Sequence, residues 1–316
     1  MERTCRWFAE ISRSDVAQAG GKGANLGDMA QAGLPIPPGF VILASAYRRV
    51  SEALGLDAQI ACILGDVDYS DSSGLQRAEH QVRALFADIP IPEDLRDEIL
   101  AHYRALGPES SVAVRSSATA EDLAGASFAG QQETFLNVVG EDDLLRAVRG
   151  CWSSLFTSQA IFYRHQKGFE HSEVSMAVVV QKMVNSEKSG VTFTVDPVMR
   201  NHFQMTIEAV WGLGEGIVSG TITPDHYKVD RETYEIVYEF VPEKHIMVCR
   251  DGRCGVITVE VPPDKTAAKV LTLDELRQLV DLGNQVERHF GCPQDIEWAS
   301  EGGVIYLLQS RPITCL

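Results

Sequence analysis

The chain has 316 residues, enough for about two lobes with a real hydrophobic core. Its 28 basic and 44 acidic residues give a net charge of −16, which argues against a nucleic-acid surface or a basic membrane-facing patch. Any bound phosphate must therefore be held by the residues next to it. No apolar stretch approaches the roughly 20 residues of a membrane span and the first residues lack a signal-peptide core, so we expect a cytoplasmic protein.

In the first half of the chain, a glycine-rich turn precedes a short helix. Gly20-Gly-Lys-Gly23 comes directly before the helical pattern, and Gly33 ends it. A proline-rich connector then leads into an apolar strand at 40–43. Further helical patterns lie near 44–55, 73–88 and 92–106, and the acidic run 65–74 is predicted to be a loop.

The Gly20–Gly23 turn is a candidate anion site. Backbone N–H groups, the positive end of the helix and the ammonium group of Lys22 converge there. The turn is not a Walker A loop, because Lys22 is followed by Gly23 instead of Ser or Thr. A glycine-rich turn that merely admits a helix is the simpler interpretation of this segment taken alone.

A second candidate segment begins with the strand 111–115. Arg115 ends this strand, and a loop rich in small residues follows it as far as Gly130. Such a loop inside a compact domain is more often functional than accidental, and its backbone donors and small side chains suit a flexible lid over polyphosphate. A linker is the alternative for the loop, and a surface ion pair is the alternative for the arginine.

The middle of the chain carries a candidate purine contact and a lobe boundary. After a strand at 133–138 and helices near 141–152 and 156–168, residues 174–184 form a long apolar strand. At its end Gln181 and a freed backbone edge can hydrogen-bond a purine rim, and Met183 can pack on its face. A strand of the hydrophobic core that ends in polar residues is the commoner interpretation of this segment. We place the lobe boundary here, which divides 1–184 from 185–316.

The second half is predicted to be rich in strands. They lie near 191–195, 204–210, 225–230, 233–240 and 244–249, and a helix near 272–289 precedes a final hairpin. Strands and helices mix without regular βαβ alternation, and we find no internal repeat. The sequence therefore predicts an α+β fold.

The final hairpin carries the most informative pattern. Asp295 and Glu297 share one face of its first strand, and Gln309 and Arg311 share one face of its second, because side chains alternate along a strand. Oxygens of Glu and Gln suit Mg²⁺, and an adjacent Arg suits the phosphates that accompany it. A two-faced surface strand with its polar side in water fits the hairpin alone equally well.

Loop length decides whether these four polar side chains meet. An odd loop would place Ile296 and Trp298 on the same face as Val304, Tyr306 and Leu308, and would gather the polar side chains on the other face. The hydrophobic pattern favours this odd register, and two glycines can supply the positive φ of a three- or five-residue loop. If the two metal-ligating side chains pointed to opposite faces, the proposed metal site would fail.

Cysteine and histidine spacing gives no zinc or dithiol motif. The seven cysteines lack C-x-x-C spacing, and the eight histidines lack H-x-x-x-H and H-E-x-x-H pairing. We expect reduced thiols. Cys249 and Cys254 flank a predicted turn and could approach each other, but a disulfide there needs an oxidising compartment.

Taken together, the motifs resemble one family. They are Gly20-Gly-Lys-Gly-Ala-Asn-Leu-Gly, Pro37-Pro-Gly-Phe, Val112-Ala-Val-Arg-Ser-Ser-Ala-Thr-Ala-Glu-Asp, Ala126-Ser-Phe-Ala-Gly-Gln-Gln-Glu-Thr134, and Asp295-Ile-Glu-Trp with Leu308-Gln-Ser-Arg-Pro. Their order and coverage of nearly the whole chain resemble the ATP-binding domain shared by phosphoenolpyruvate synthase, pyruvate phosphate dikinase and rifampicin phosphotransferase. Within that family, the segments that begin at Phe193, Thr221 and Leu307 look most like rifampicin phosphotransferase.

The resemblance implies an ATP-grasp-like fold with ATP in a cleft between the two lobes. By position, Lys22, Arg115 and Arg311 look like the catalytic cations that contact the polyphosphate. The other implied contacts are Gly130 and Thr134 over the phosphates, Gln181 and Met183 at the adenine, Glu297 and Gln309 as Mg²⁺ ligands, and Asp295 behind them.

The resemblance also implies a reaction. Enzymes of this family split ATP to AMP and pass the distal phosphoryl groups to a histidine in a Thr-Ser-His-Ala-like motif on a separate swivelling domain. None of the eight histidines here has that context, and no substrate domain is recognisable. We therefore expect the Mg·ATP module of a dikinase-type phosphotransferase, whose partners are a histidine domain and a substrate domain in the same chain or in trans.

Three hypotheses follow for the whole activity. Rifampicin phosphotransferase is the first, phosphoenolpyruvate synthase is the alternative, and a nucleotide-binding regulatory protein that turns nothing over is the third. The full set of cations and metal ligands favours a catalytic module over a sensor. The sequence leaves the final phosphoryl acceptor open.

Overall fold

The computed structural model describes residues 3–107, 109–119, 133–171, 174–252 and 254–314. Its contacts form two compact units. The first unit comprises Met1–Asp28 and Pro38–Met183, and the second comprises Met29–Pro37 and Val184–Leu316. The segment 29–37, which the sequence-based division assigned to the first lobe, groups with the second unit, where the carbonyl of Pro35 accepts a hydrogen bond from the Leu307 N–H (2.8 Å).

Helices and strands are mixed in the described residues, which confirms the α+β class. The helices are α1 (Val16–Gln31), α2 (Ala44–Leu54), α3 (Leu56–Gly65), α4 (Ser72–Ala87), α5 (Glu93–Ala105), α6 (Glu141–Ser153), α7 (Ser158–Lys167), α8 (Glu215–Val218), α9 (Pro263–Thr266) and α10 (Leu273–Phe290). In the part of the chain that the structure describes, none of them is long and apolar enough to cross a membrane.

The strands follow the predicted positions with two additions. They are β1 (Cys5–Trp7), β2 (Gly39–Ile42), β3 (Val112–Ala118), β4 (Thr134–Val138), β5 (Met176–Lys182), β6 (Lys188–Phe193), β7 (Gln204–Trp211), β8 (Asp225–Asp230), β9 (Ile236–Phe240), β10 (Ile246–Arg250), β11 (Val256–Glu260), β12 (Gln294–Glu301) and β13 (Val304–Pro312). The sequence pattern predicts neither the short β1 nor β11. It also misses α3, which starts directly after Gly55 ends α2 in a left-handed conformation.

The first unit is built on an antiparallel sheet with the order β1-β2-β5-β3-β4. One face of this sheet carries Phe40, Val114 and Val178, which are fully buried. These side chains join apolar residues of α2 to α7, such as Val82 and Trp152, in a single cluster. The core of the first unit therefore lies on one face of the sheet and leaves the other face for α1.

The second unit is built on an antiparallel sheet with the order β13-β12-β6-β7-β8-β9, accompanied by the separate hairpin β10–β11. Helix α10 begins with a capping box, in which Thr272 accepts from the Glu275 N–H and Glu275 accepts from the Thr272 N–H. At Gly283 the helix comes so close to the sheet that a Cβ would lie 2.9 Å from the Met205 Sδ. One face of the sheet is thus covered by α10.

A fully buried ion pair ties three segments of the second unit together. The side chains of Lys244 and Asp225 are 1% and 0% exposed. The Lys244 ammonium donates to the Asp225 carboxylate and to the Pro242 carbonyl (2.9 Å). The same carboxylate accepts from the Val270 N–H (2.7 Å) and from the Tyr227 hydroxyl (3.1 Å). Each charge therefore depends on its partner for compensation.

We predict that Lys244→Met destabilises the protein by about 3–5 kcal/mol, because it leaves the Asp225 carboxylate buried without its counter-charge. The free energy of unfolding from urea titration measures the loss. The double variant Asp225→Asn with Lys244→Met serves as control, since it removes both charges and should lose less. A loss for Lys244→Met below about 1 kcal/mol, the range of an exposed pair, would contradict the assigned role.

A buried arginine in the first unit donates a hydrogen bond to a histidine. Arg164 is 1% exposed, and its Nε donates to the Nδ1 of His171 (2.9 Å). Burial, followed by the charges of Arg164 and His165, lowers the pKa of His171 to about 4. His171 is therefore neutral in the folded protein at pH values where the unfolded chain already binds a proton.

We predict that this histidine makes the protein less stable in mild acid. As the pH falls from about 6.5, the pKa of an unperturbed histidine, toward about 4, the unfolded state binds a proton that the folded state does not, so the free energy of unfolding falls. Since His171 is partly solvated, we expect a loss of only about 1 kcal/mol. Chemical denaturation at several pH values measures it, and His171→Asn, whose amide oxygen can still accept from Arg164, should show a flatter profile.

Candidate functional site

The glycine-rich segment is fixed on β3 through Ser117. Helix α1 breaks at Gly20 (φ 68°, ψ 171°) and resumes immediately, so the predicted turn before a helix is a kink within one. The Ser117 hydroxyl accepts from the Gly23 N–H (3.2 Å) and donates to the Ala19 carbonyl (2.9 Å). A Cβ at Gly20 would lie 2.3 Å from the Ser117 carbonyl oxygen. Lys22 thereby stands in the first turn of the resumed helix, at its positive end.

Two predicted cations and a hydroxyl meet at this edge of the first sheet. The Nζ of Lys22 donates to the carbonyl of Ser116 (3.2 Å), the residue that follows Arg115 on β3. Arg115 is 8% exposed and pairs directly with the exposed Thr134 of β4. Cross-strand partners share a face of a sheet. The structure therefore brings Lys22, Arg115 and Thr134 together, and these groups suit a polyphosphate. Gly130 lies outside the described residues.

Gln181 presents a buried amide on the face of the sheet that carries Arg115. Arg115 pairs with Val179 of β5, two residues before Gln181, so both polar side chains lie on one face. Gln181 is 1% exposed, and its Nε2 makes no hydrogen bond within the described part of the chain. An unsatisfied buried donor costs about 1–3 kcal/mol, so a ligand that accepts from this amide would recover that free energy.

The backbone beside Gln181 differs from the predicted free edge. The Lys182 N–H donates to the Pro38 carbonyl (2.9 Å), and the Met183 N–H donates to the Ser111 carbonyl (2.9 Å). The half-buried Met183 side chain remains available for packing. Neighbouring segments of the same unit therefore satisfy these two N–H groups, and the contact of this backbone edge with a purine stays a prediction.

The hairpin β12–β13 places its four polar residues in opposing pairs. Glu297 lies directly opposite Gln309, and Asp295 lies directly opposite Arg311. The Nε and Nη2 of Arg311 lie 2.8 and 2.7 Å from the Asp295 Oδ2. The predicted metal-ligating side chains therefore share one face.

The predicted odd loop was wrong. Gly302 and Gly303 form a two-residue loop, with φ of 58° and 79°, between the paired residues Glu301 and Val304. A bulge between Glu297 and Trp298 then adds one residue to β13 and restores the pairing of the polar residues.

The apolar partners of Trp298 also differ from the prediction. The predicted set Val304, Tyr306 and Leu308 is at least partly exposed, whereas the 1%-exposed Leu307 pairs with Trp298. The two-residue turn matches the strand twist, and the bulge absorbs the parity change. The alternation of polar and apolar residues in the two strands gives no indication that a bulge is present.

Two further carboxylates act electrostatically on Asp295 in this hairpin. Burial raises the pKa of Asp295, Arg311 lowers it in part, and the carboxylates of Glu297 and Glu208 raise it further. These three carboxylates therefore act on the same region. A cation bound there would relieve their repulsion.

The donor set fits Mg²⁺ bound together with phosphate. Among the described residues, no group of three His, Cys, Asp or Glu side chains is arranged to hold a metal ion. Mg²⁺ in phosphate sites is usually held by one or two protein oxygens together with waters and substrate phosphates. Glu297 and Gln309 provide two such oxygen-bearing side chains on one face.

Sequence reasoning missed two residues on this face. Glu208 of β7 is half-buried and pairs with His226 of β8, and its Oε1 lies 3.2 Å from the His226 Nδ1. The available signal was a single carboxylate in a strand, Met205 to Trp211, whose other residues apart from Thr206 are apolar. That signal gives no indication of which strands lie beside it.

Known proteins are similar to this chain over nearly its full length. A family model described as "Pyruvate phosphate dikinase, AMP/ATP-binding domain" matches residues 16–316. Two proteins named "Probable phosphoenolpyruvate synthase" are 49% identical (Methanocaldococcus jannaschii) and 50% identical (Archaeoglobus fulgidus), each over 98% of this chain. A "Rifampicin phosphotransferase" from Bacillus cereus is 39% identical over 98% of this chain. The chain spans 26%, 41% and 36% of these three relatives, respectively.

We predict that Gly20→Ala displaces the kink from Ser117 and weakens binding of anionic ligands at Lys22 by at least about tenfold. Gly33→Ala is the matched control, because Gly33 also has a positive φ (74°) but its Cβ would meet nothing within 4 Å. Both variants carry backbone strain of about 1–2 kcal/mol, and only the first carries the clash. Calorimetric titration with ATP measures the difference, and equal affinities for the two variants would contradict the assigned role of the kink.

Proposed function

Since the chain belongs to the family of pyruvate phosphate dikinase AMP/ATP-binding domains, we propose that it is the Mg·ATP-binding catalytic module of a dikinase-type phosphotransferase. The observation that carries this proposal is the pairing of Glu297 with Gln309 beside Arg311 on one sheet face. This arrangement combines oxygens for a hard cation with a guanidinium for phosphate. The ATP-grasp-like cleft implied by the resemblance belongs to the same proposal.

In this proposal the cations of the chain neutralise the charge on the phosphoryl groups. Lys22 is held by the Ser116 carbonyl, and Arg311 is oriented by the Asp295 carboxylate. Positioned cations stabilise charge that spreads over the phosphoryl oxygens in the transition state, and they need no rearrangement when it forms. Glu297 and Gln309 would hold Mg²⁺, which would supply Lewis-acid chemistry for the phosphoryl transfer.

The first unit supplies the contacts for the rest of the nucleotide. The unsatisfied amide of Gln181 is a donor for an adenine ring nitrogen, and Met183 offers a polarisable packing surface. Arg115 and Thr134, which are cross-strand partners, contact phosphate oxygens. A planar base and a polyphosphate together account for the buried amide and for the cations.

The proposed overall reaction is the cleavage of ATP to AMP with transfer of the distal phosphoryl groups to a histidine on a separate domain. For the final acceptor we favour pyruvate, because relatives named phosphoenolpyruvate synthase are 49% and 50% identical whereas the rifampicin phosphotransferase is 39% identical. A rifamycin acceptor is the second candidate, supported by the segments that begin at Phe193, Thr221 and Leu307.

We predict that the chain binds Mg·ATP but forms AMP only when a separately expressed histidine domain of the family is added. Without that domain no stable phosphohistidine should form on the chain, since none of its histidines has the acceptor motif. Chromatographic detection of AMP and acid-quench analysis of phosphohistidine measure both parts. Tight ATP binding without AMP in the presence of any such domain would overturn the catalytic proposal and favour a regulatory one. Stable phosphohistidine on the chain itself would contradict the need for a separate acceptor.

A further inference from the structure

Glu208 lies in the same cross-strand row as the two metal-ligating candidates. Glu297 pairs with Gln309 on one side and with Val191 of β6 on the other, and Val191 pairs with Glu208. Residues in such a row point to one face of the sheet. Two strand spacings, about 10 Å, separate the Glu297 and Glu208 backbones, and their side chains can extend toward each other over Val191.

The basic groups of this face are engaged with carboxylates. Arg311 contacts Asp295, and His226 contacts Glu208. Lys228 contacts Asp196 (2.6 Å). Glu297 adds a fourth carboxylate beside the three carboxylates of these pairs. A divalent cation would be attracted to this concentration of carboxylates.

A buried hydroxyl on the same face points independently to a polar ligand or water. Thr206 lies two residues before Glu208 on β7, so its side chain shares the face. It is 4% exposed, and its Oγ1 makes no hydrogen bond within the described residues. Buried hydroxyls in proteins are nearly always satisfied, so ordered water or ligand oxygen is expected beside it.

We propose that Glu208, oriented by His226, is a positioning residue for the cation held by Glu297 and Gln309, and that it accepts hydrogen bonds from water bound to that cation. The inference rests on the proposed function. No group of three acidic or histidine side chains among the residues described encloses a metal directly, which favours a contact through water. A carboxylate about 5 Å from Mg²⁺ has the distance for one intervening water molecule.

The bond between Glu208 and His226 fixes the carboxylate in this role. The His226 Nδ1 lies 3.2 Å from the Glu208 Oε1, which leaves the other carboxylate oxygen for water. Residues that hold the outer shell of a metal typically change its affinity by 10–100-fold when they are removed. Glu208 should therefore affect cation affinity more than nucleotide affinity.

The test measures Mn²⁺ binding, by electron paramagnetic resonance, to the full chain saturated with a non-hydrolysable ATP analogue. Glu208→Gln should weaken Mn²⁺ about tenfold and His226→Gln should weaken it less. Glu208→Asp, which keeps the charge, should restore most of the affinity. Glu260→Gln on the exposed β11 is the charge-matched control and should bind Mn²⁺ like the parent chain. Thermal melting of each variant checks the fold.

The outcomes separate this inference from the proposed function. Parent-like Mn²⁺ affinity in a folded Glu208→Gln variant would overturn the inference. Proton ENDOR counts the water molecules on Mn²⁺, and an additional bound water in Glu208→Gln would show direct ligation and overturn the water-mediated contact. Glu297→Gln tests the site itself: if it leaves Mn²⁺ binding unchanged, the proposed cation site fails. If Glu297→Gln abolishes binding and Glu208→Gln has no effect, only the inference fails.

Discussion

The register of β12 against β13 is the constraint on which the candidate cation site depends. A shift of one residue would send Glu297 to the face that α10 covers and would bring Trp298, now 1% exposed, into water. Burial of that indole is worth about 2–3 kcal/mol, so the apolar face fixes the position of the polar one. The same strand pairs with β6 on its other edge, and the pairing of β6 with β7 extends the row that contains Glu297 as far as Glu208.

The sequence predicted that Glu297 and Gln309 share a face of the hairpin, but it did not predict the loop length and bulge that place them there. Alternation correctly placed Glu297 and Gln309 on one face, whereas the loop has two residues and a bulge restores the parity. Bulges arise from local geometry and leave no trace in a binary pattern. The sequence also could not predict that the segment 29–37 groups with the second unit. That grouping depends on a contact between Pro35 and Leu307, which are far apart in the chain.

The sequence indicated which residues were candidates for the site, but it did not show which contacts those residues make. The glycines around Lys22 indicated an anion site, but only the structure shows why position 20 is Gly: a Cβ there would lie 2.3 Å from the Ser117 carbonyl oxygen. Gln181 was singled out as a polar residue at the end of an apolar strand, and its unsatisfied amide gives that choice a physical reason. Glu208 was missed because the sequence does not show which strands lie beside β7, and only those strands place this carboxylate next to the polar residues of the hairpin.

The electrostatics of the chain favour a nucleotide that arrives with its cation. A net charge of −16 repels free polyphosphate, yet at physiological salt this repulsion is screened beyond about 8 Å, so the groups near the ligand decide affinity. On the hairpin face those groups include the carboxylates of Glu297 and Glu208, both of which raise the pKa of Asp295. Free ATP would add about four negative charges to this face, whereas Mg·ATP would add only about two, because the cation offsets part of the phosphate charge. If Glu297 and Gln309 hold a cation as proposed, the same side chains discriminate against nucleotide without it.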